Sequence, residues 1–160
     1  MIEVELDHRR LQEALRRVEW AVGETAPLMR SIAAEFASIT EENFAGEGQG
    51  NDDWPSLSEV TTGRREASGT WPGQMLQVSA GGLAASVSTE ADDNSALVGS
   101  NKPYAAMMHF GGEKEEFPNL WGDIPARPYL PMDADGKLQP AAEESILDLA
   151  LNHLEKAARL

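Results

Sequence analysis

The segment over residues 97–130 limits what this chain can fold into more than any other, because its glycines and prolines dictate where the backbone turns. It begins Leu97-Val98-Gly99-Ser100-Asn101-Lys102-Pro103-Tyr104-Ala105-Ala106-Met107-Met108-His109-Phe110-Gly111-Gly112. After a short acidic loop bearing Trp121, it closes with Ile124-Pro125-Ala126-Arg127-Pro128-Tyr129-Leu130. Gly99, Ser100 and Asn101 are turn residues that tolerate unusual backbone angles. Gly111 and Gly112 cut off the apolar run 104–110 at a point where the chain can take positive φ. A residue before proline is kept out of the helical region, so Pro125 and Pro128 hold Arg127 in an extended segment.

The flanks are helical. Ile2, Val4 and Leu6 alternate with Glu3 and Glu5, which predicts a short N-terminal strand. Asp7 is placed as the cap of a helix running to about Val22. Leu11, Leu15, Val18 and Val22 fall on one side of it, the expected buried stripe. Arg9, Arg10, Arg16, Arg17 and Trp20 fall on the other, where Trp20 is either a tolerated surface aromatic or a candidate partner contact. Gly23 breaks this helix, and Glu24 or Thr25 with Pro27 starts a second one whose stripe is Leu28, Ile32, Phe36 and Ile39. That helix is expected to reach about Phe44, giving a hairpin or one kinked helix. A last helix runs from Gln139 or Pro140 to the C-terminus. Its Ile146, Leu147, Leu149, Ala150, Leu151 and Leu154 cover more than half its circumference, so it is either deeply buried or shared with a neighbouring subunit.

Between these helices the character changes. Residues 46–73 open with glycines and acids and carry few large apolar side chains, which predicts a long flexible loop rather than a packed element. Residues 75–78, 83–89 and 96–98 are expected as successive antiparallel strands, separated by Gly81-Gly82 and by Asp92-Asp93-Asn94. The expected fold class is α+β in a single domain over 1–160: an N-terminal strand and helical hairpin, a small antiparallel sheet, and a long C-terminal helix.

Two ordered boxes, Val98 to Asn101 with Tyr104-Ala105 and His109-Phe110-Gly111-Gly112, then Ile124 to Leu130, resemble the phage virion morphogenesis proteins. That family includes the tail completion proteins of contractile-tailed phages. Tyr129 stands where the second box usually has Phe. The stretch Trp54-Pro55-Ser56-Leu57-Ser58 with Thr61 resembles a further family segment, with Arg64-Arg65 where basic residues are usual. Gly81, Leu83 and Ser86 fit another box, although Ala80 replaces its Thr. The resemblance implies a structural role in tail completion and in joining tail to head, as a homo-oligomeric ring. Its partners would be the tail tube or terminator protein and the head connector, in the host cytoplasm during assembly and at the neck of the virion afterwards. Under that reading Trp54, Leu57, Arg64 and Arg65 are candidate contacts, with Tyr104, His109, Arg127 and Tyr129 bracing the central box.

Composition narrows the alternatives. A net charge of −14 argues against a sequence-specific nucleic-acid surface, because phosphate contacts need clustered Lys and Arg. No cysteine is present, so disulfides and thiolate chemistry are out. No stretch has the length of a membrane span and the N-terminus lacks a signal-peptide layout, so a soluble protein of a reducing compartment is expected. The glycines at 46, 48 and 50 lack the Gly-Lys-Ser/Thr of a phosphate loop, and Asp133-Ala134-Asp135-Gly136 fails the calcium-loop register. His8, His109 and His153 form no metal-ligand pair, and no nucleophile is placed beside His109, so no enzyme, cofactor or metal site is expected. Two other readings remain open: a small metal- or ligand-dependent enzyme using His109 with Asp92-Asp93 or Asp133 and Asp135, and a head-side minor or scaffolding protein.

Overall fold

A computed structural model of the chain describes residues 8–159, so the expected strand over 2–6 and its Asp7 cap lie outside the described residues. Helix α1, His8–Gly23, and helix α2, Ala26–Gly46, form the expected helical pair, with the break at Gly23 and Pro27 in the first turn of α2. Ile32, Ala33, Ile39, Thr40, Asn43 and Phe44 are the buried face of α2. The helix stops where Glu47 turns left-handed at φ 52° and returns its N–H to the Asn43 carbonyl.

Helix α1 is rotated from expectation, with Ala14, Arg17, Val18 and Ala21 on its covered side. Leu11, Leu15 and Val22 are exposed, and the covered side carries Ala21. The reason lies in its partner: α1 packs on the C-terminal helix α5, Pro140–Arg159, where Ala21 is buried and the His153 Nε2 donates to the Ala21 carbonyl at 3.0 Å. Of the two alternatives for α5, deep burial is overturned. Ala142 is its one fully buried residue, and Leu147 and Leu151 stand in water.

Residues 46–73 are not one long loop. Strands β1, Gly48–Gln49, and β2, Asp52–Asp53, make a tight hairpin whose turn passes through Gly50 at φ +61°. Helix α3, Glu59–Ala67, follows, capped by Ser58, whose hydroxyl accepts from Thr61 N–H. Arg64 and Arg65 sit in its last turn, where cations complement the helix dipole. The helix carries no apolar periodicity, because the residue it buries is Arg65 and not a leucine.

The expected three-stranded meander is reduced to one pair. Strand β3, Val87–Ala91, runs antiparallel to β4, Ala96–Ser100, with Val87 opposite Ser100 and Ala91 opposite Ala96. The turn falls at Asp92 as expected, and its carboxylate accepts the Asn94 and Ser95 N–H groups at 2.7 Å. Those bonds favour the ionised form and hold the Asp92 pKa below the usual carboxylate range. Residues 75–78 form no strand: Leu76 takes φ +59°, and the segment bonds to the end of α2 and not to a neighbouring strand. Glu47 accepts the Met75 N–H, and Gln77 Nε2 donates to the Phe44 carbonyl at 2.8 Å.

The architecture is therefore α+β, with α2 packed between the β3–β4 pair and α5. The core lies at the C-terminal end of α2. Phe44, Trp54, Leu83, Ala105 and Tyr129 are buried together, with Met75, Leu76, Ala84, Val87, Met108 and Leu130 around them.

Candidate functional site

The two boxes fold against each other. After Tyr104, the first box makes a short helix α4, Ala105–Phe110, stopped by Gly111 at φ +74°. A Cβ at Gly111 would lie 2.7 Å from both Ala126 N and Ile124 O, and one at Gly112 would strike Met107 Sδ. Two glycines are what let the first box reach the backbone of the second. There Gly112 and Ile124 exchange both hydrogen bonds at 2.9 Å, and Arg127 N–H donates to Met108 O at 2.9 Å.

His109 is the pivot of that contact. It is almost completely buried, and its Nδ1 accepts the Tyr129 and Leu130 N–H groups at 3.2 and 3.4 Å. An acceptor Nδ1 puts the proton of the neutral ring on Nε2, which is buried with no hydrogen-bond partner among the described residues. Tyr129 stacks on Phe44 at 5.2 Å, meets His109 edge-on at 5.1 Å and donates its hydroxyl to Ala105 O at 3.3 Å. Burial pushes its phenol up to about 12.

The Trp54 segment clasps the same stretch of the second box from outside the helix. Trp54 Nε1 donates to Pro128 O at 2.9 Å, while Arg127 Nε and Nη2 donate to Pro55 O and Ser56 O at 2.9 and 3.0 Å. Asn43 Nδ2 reaches Tyr129 O and Gln139 Oε1, and Gln49 Nε2 reaches Leu130 O and Met132 O. These two amides were not singled out in the sequence, although Asn43 betrays itself as a polar residue on the apolar face of α2.

The nine candidate residues thus divide. Trp54, Arg65, His109, Arg127 and Tyr129 are buried and brace the fold. Arg65 donates to Thr70 O and Gln74 O and lies 5.2 Å from the Trp71 ring centroid. Trp20, Arg64 and Tyr104 face water and Leu57 is half-buried. Asp92 and Asp93 belong to the β3–β4 turn, and the Asp133 carboxylate closes its own turn on Asp135 and Lys137 N–H. Among the described residues, no three His, Asp or Glu side chains are grouped to hold a metal ion. No described helix is long and apolar enough to cross a membrane.

The His109 environment sets a pH dependence. Burial lowers its pKa, and the Asp133 backbone and charge oppose that only in part. The unfolded chain, with an ordinary pKa of about 6.5, therefore takes up the proton first as the pH falls. Full stability is present above that value and is lost progressively below it, until the folded-state pKa is reached. A second proton on the ring would also remove the acceptor from both backbone amides. Urea midpoints measured between roughly pH 7.5 and 5.5 should fall with pH, and His109→Asn should flatten that slope while lowering the midpoint throughout.

Taken together, the geometry defines a protein whose recognisable motifs are consumed in locking three distant segments into one rigid joint. The chain belongs to the phage virion morphogenesis family, whose model matches residues 6–155. It is 36% identical over 149 residues to the "Mu-like prophage FluMu G protein 2" of Haemophilus influenzae, covering 92% of each chain. It is 33% identical over 162 residues to the "Putative capsid assembly protein G" of Escherichia phage Mu, covering 99% of this chain and 97% of the relative. No solved structure matches it.

Proposed function

We propose that this chain is a non-catalytic subunit that completes the phage tail and joins it to the head. It works as a ring of copies between the head connector and the tail tube or terminator, assembled in the host cytoplasm and retained at the virion neck. The observation that carries this reading is a pair of leucine stripes on packed helices. Leu11 and Leu15 on α1, and Leu147 and Leu151 on α5, are each more than half exposed. Spacing of four residues puts each pair on one helix face. Single exposed leucines are ordinary, but apolar stripes in a chain of this acidity are surfaces for a partner.

The phage Mu relative's name supports a second reading, a role on the head side. Complementation of a Mu-like phage lacking the gene separates the two by electron microscopy. Full heads accumulating beside separate tails, rescued by the wild-type chain, is the expected result. Missing or aberrant heads would move the protein to head assembly. A Leu15→Glu, Leu151→Glu double variant should fold yet lower the yield of joined particles roughly tenfold or more, the effect of losing an apolar anchor worth about 1.4 kcal/mol.

A further inference from the structure

A cavity of about 480 Å³ lies between the α3 segment and the second box, in the size range of clefts that take a small ligand or one large side chain. Leu57, Leu76, Val78, Met108, Ile124 and Pro125 give it an apolar wall. Arg65 and Arg127 also line it, both more than nine-tenths buried. Each spends Nε and Nη2 on backbone carbonyls, and neither has a carboxylate at ion-pair distance among the described residues. Nη1 of each has no hydrogen bond there either. Asp123, Ser56, Ser58 and Thr61 share the lining, but no described carboxylate pairs with either guanidinium, so each Nη1 is open to an acceptor that enters.

The complementary surface is on the same chain. Residues 113–123 leave the Gly112–Ile124 bridge as a projecting loop with Glu113, Glu115, Glu116 and Asp123 against a single Lys114. Its Trp121 is 99% exposed, and Phe117 is exposed beside the acids. An aromatic tip among carboxylates matches a partly apolar cavity that holds two cations against one rim carboxylate, Asp123. Within one chain the loop base forms the edge of the cavity through Asp123 and Ile124, while the indole stands away in water.

We propose that the 113–123 loop of a second copy docks in this cavity, with Trp121 against the apolar wall and a carboxylate on the Arg65 and Arg127 guanidiniums. The proposal deepens the assembly reading and rests on it for why copies meet.

The test uses the full chain and a synthetic peptide of residues 113–123. Light scattering should show a mass that rises with concentration to at least two chains, and the peptide should bind and reverse that rise. Trp121→Ala, at a fully exposed site, and Val78→Asp, at a half-exposed cavity position, should each keep the near-ultraviolet circular dichroism of a folded chain. Each should remain at single-chain mass, and Val78→Asp should bind the peptide at least about tenfold more weakly, since it places a fixed carboxylate beside the two cations. A single-chain mass at every concentration with no peptide binding would overturn the proposal. So would peptide binding undiminished by Val78→Asp, or a Trp121 already shielded from quenchers in the dilute monomer, which would mean that the loop closes on its own cavity. Failure here leaves phage complementation to be judged separately, and failed complementation with intact peptide binding would remove the assembly role but keep the site.

Discussion

Tyr129→Ala is expected to be the most damaging single substitution in the core. The ring touches Phe44 and His109, and its hydroxyl bonds Ala105, so one truncation opens a cavity where α2, α4 and the second box meet. Removing a buried aromatic costs about 3–5 kcal/mol, a large share of the roughly 5–15 kcal/mol that holds a domain together. In a domain of this size each kcal/mol moves the melting temperature by about 2–4 °C, so a fall of roughly 10 °C or more is the expected result. Tyr129→Phe keeps the stack and removes only the hydroxyl, for about 0.5–1.5 kcal/mol. Calorimetry on the two variants separates packing from hydrogen bonding. A small shift for the alanine variant would show that the aromatic cluster is not what closes the fold.

Gly111→Ala should come next. At φ +74° and ψ −172° the residue occupies a region that is essentially glycine's alone, with strain of about 1–3 kcal/mol for any other residue. The added methyl would also press at 2.7 Å on Ala126 N and Ile124 O, which are backbone atoms and cannot swing aside. The second box must separate from the first, so the bridge amides of Gly112 and Ile124 should lose protection in hydrogen exchange. Gly122→Ala, where a Cβ meets nothing within 4 Å, is the matched control and should leave stability almost unchanged. Equal effects at 111 and 122 would show that the close approach is not what requires glycine.

Punctuation residues told most of what the amino-acid order could tell. Gly23, Pro27 and Gly46 marked the helical hairpin, and Asp92-Asp93-Asn94 marked the β3–β4 turn, because local backbone preferences decide those positions. The two boxes were recognisable for the same reason, since their glycines and prolines restrict the chain directly. Periodicity succeeded less well. It found that α1 and α5 each have an apolar face, but which face a helix buries depends on its neighbour, and the alanine side of α1 met α5. Helix α3 was missed because a guanidinium bonded to carbonyls fills the place of a buried leucine. The 75–78 stretch looked like a strand, yet Glu47 and Gln77 tie it to the end of α2, a long-range arrangement invisible to local pattern. Of the candidate contacts, residue type could not separate Trp54, which turns inward, from Trp20, which stays in water.

The bonds that clasp the second box have a consequence for how the protein is made. Trp54 is joined to Pro128 across 74 positions, Asn43 to Tyr129 across 86, and Asn43 to Gln139 across 96. A ribosome adding about 5–20 residues per second needs roughly 4–17 seconds to travel from Phe44 to Tyr129. Through that interval Phe44 has only Trp54 of its two ring partners, and Tyr129 is still to come. Truncated chains ending before residue 129 lack the pieces that close the core, so only chains translated past the second box can become building blocks. Arrival of the second box is thereby checked by folding itself.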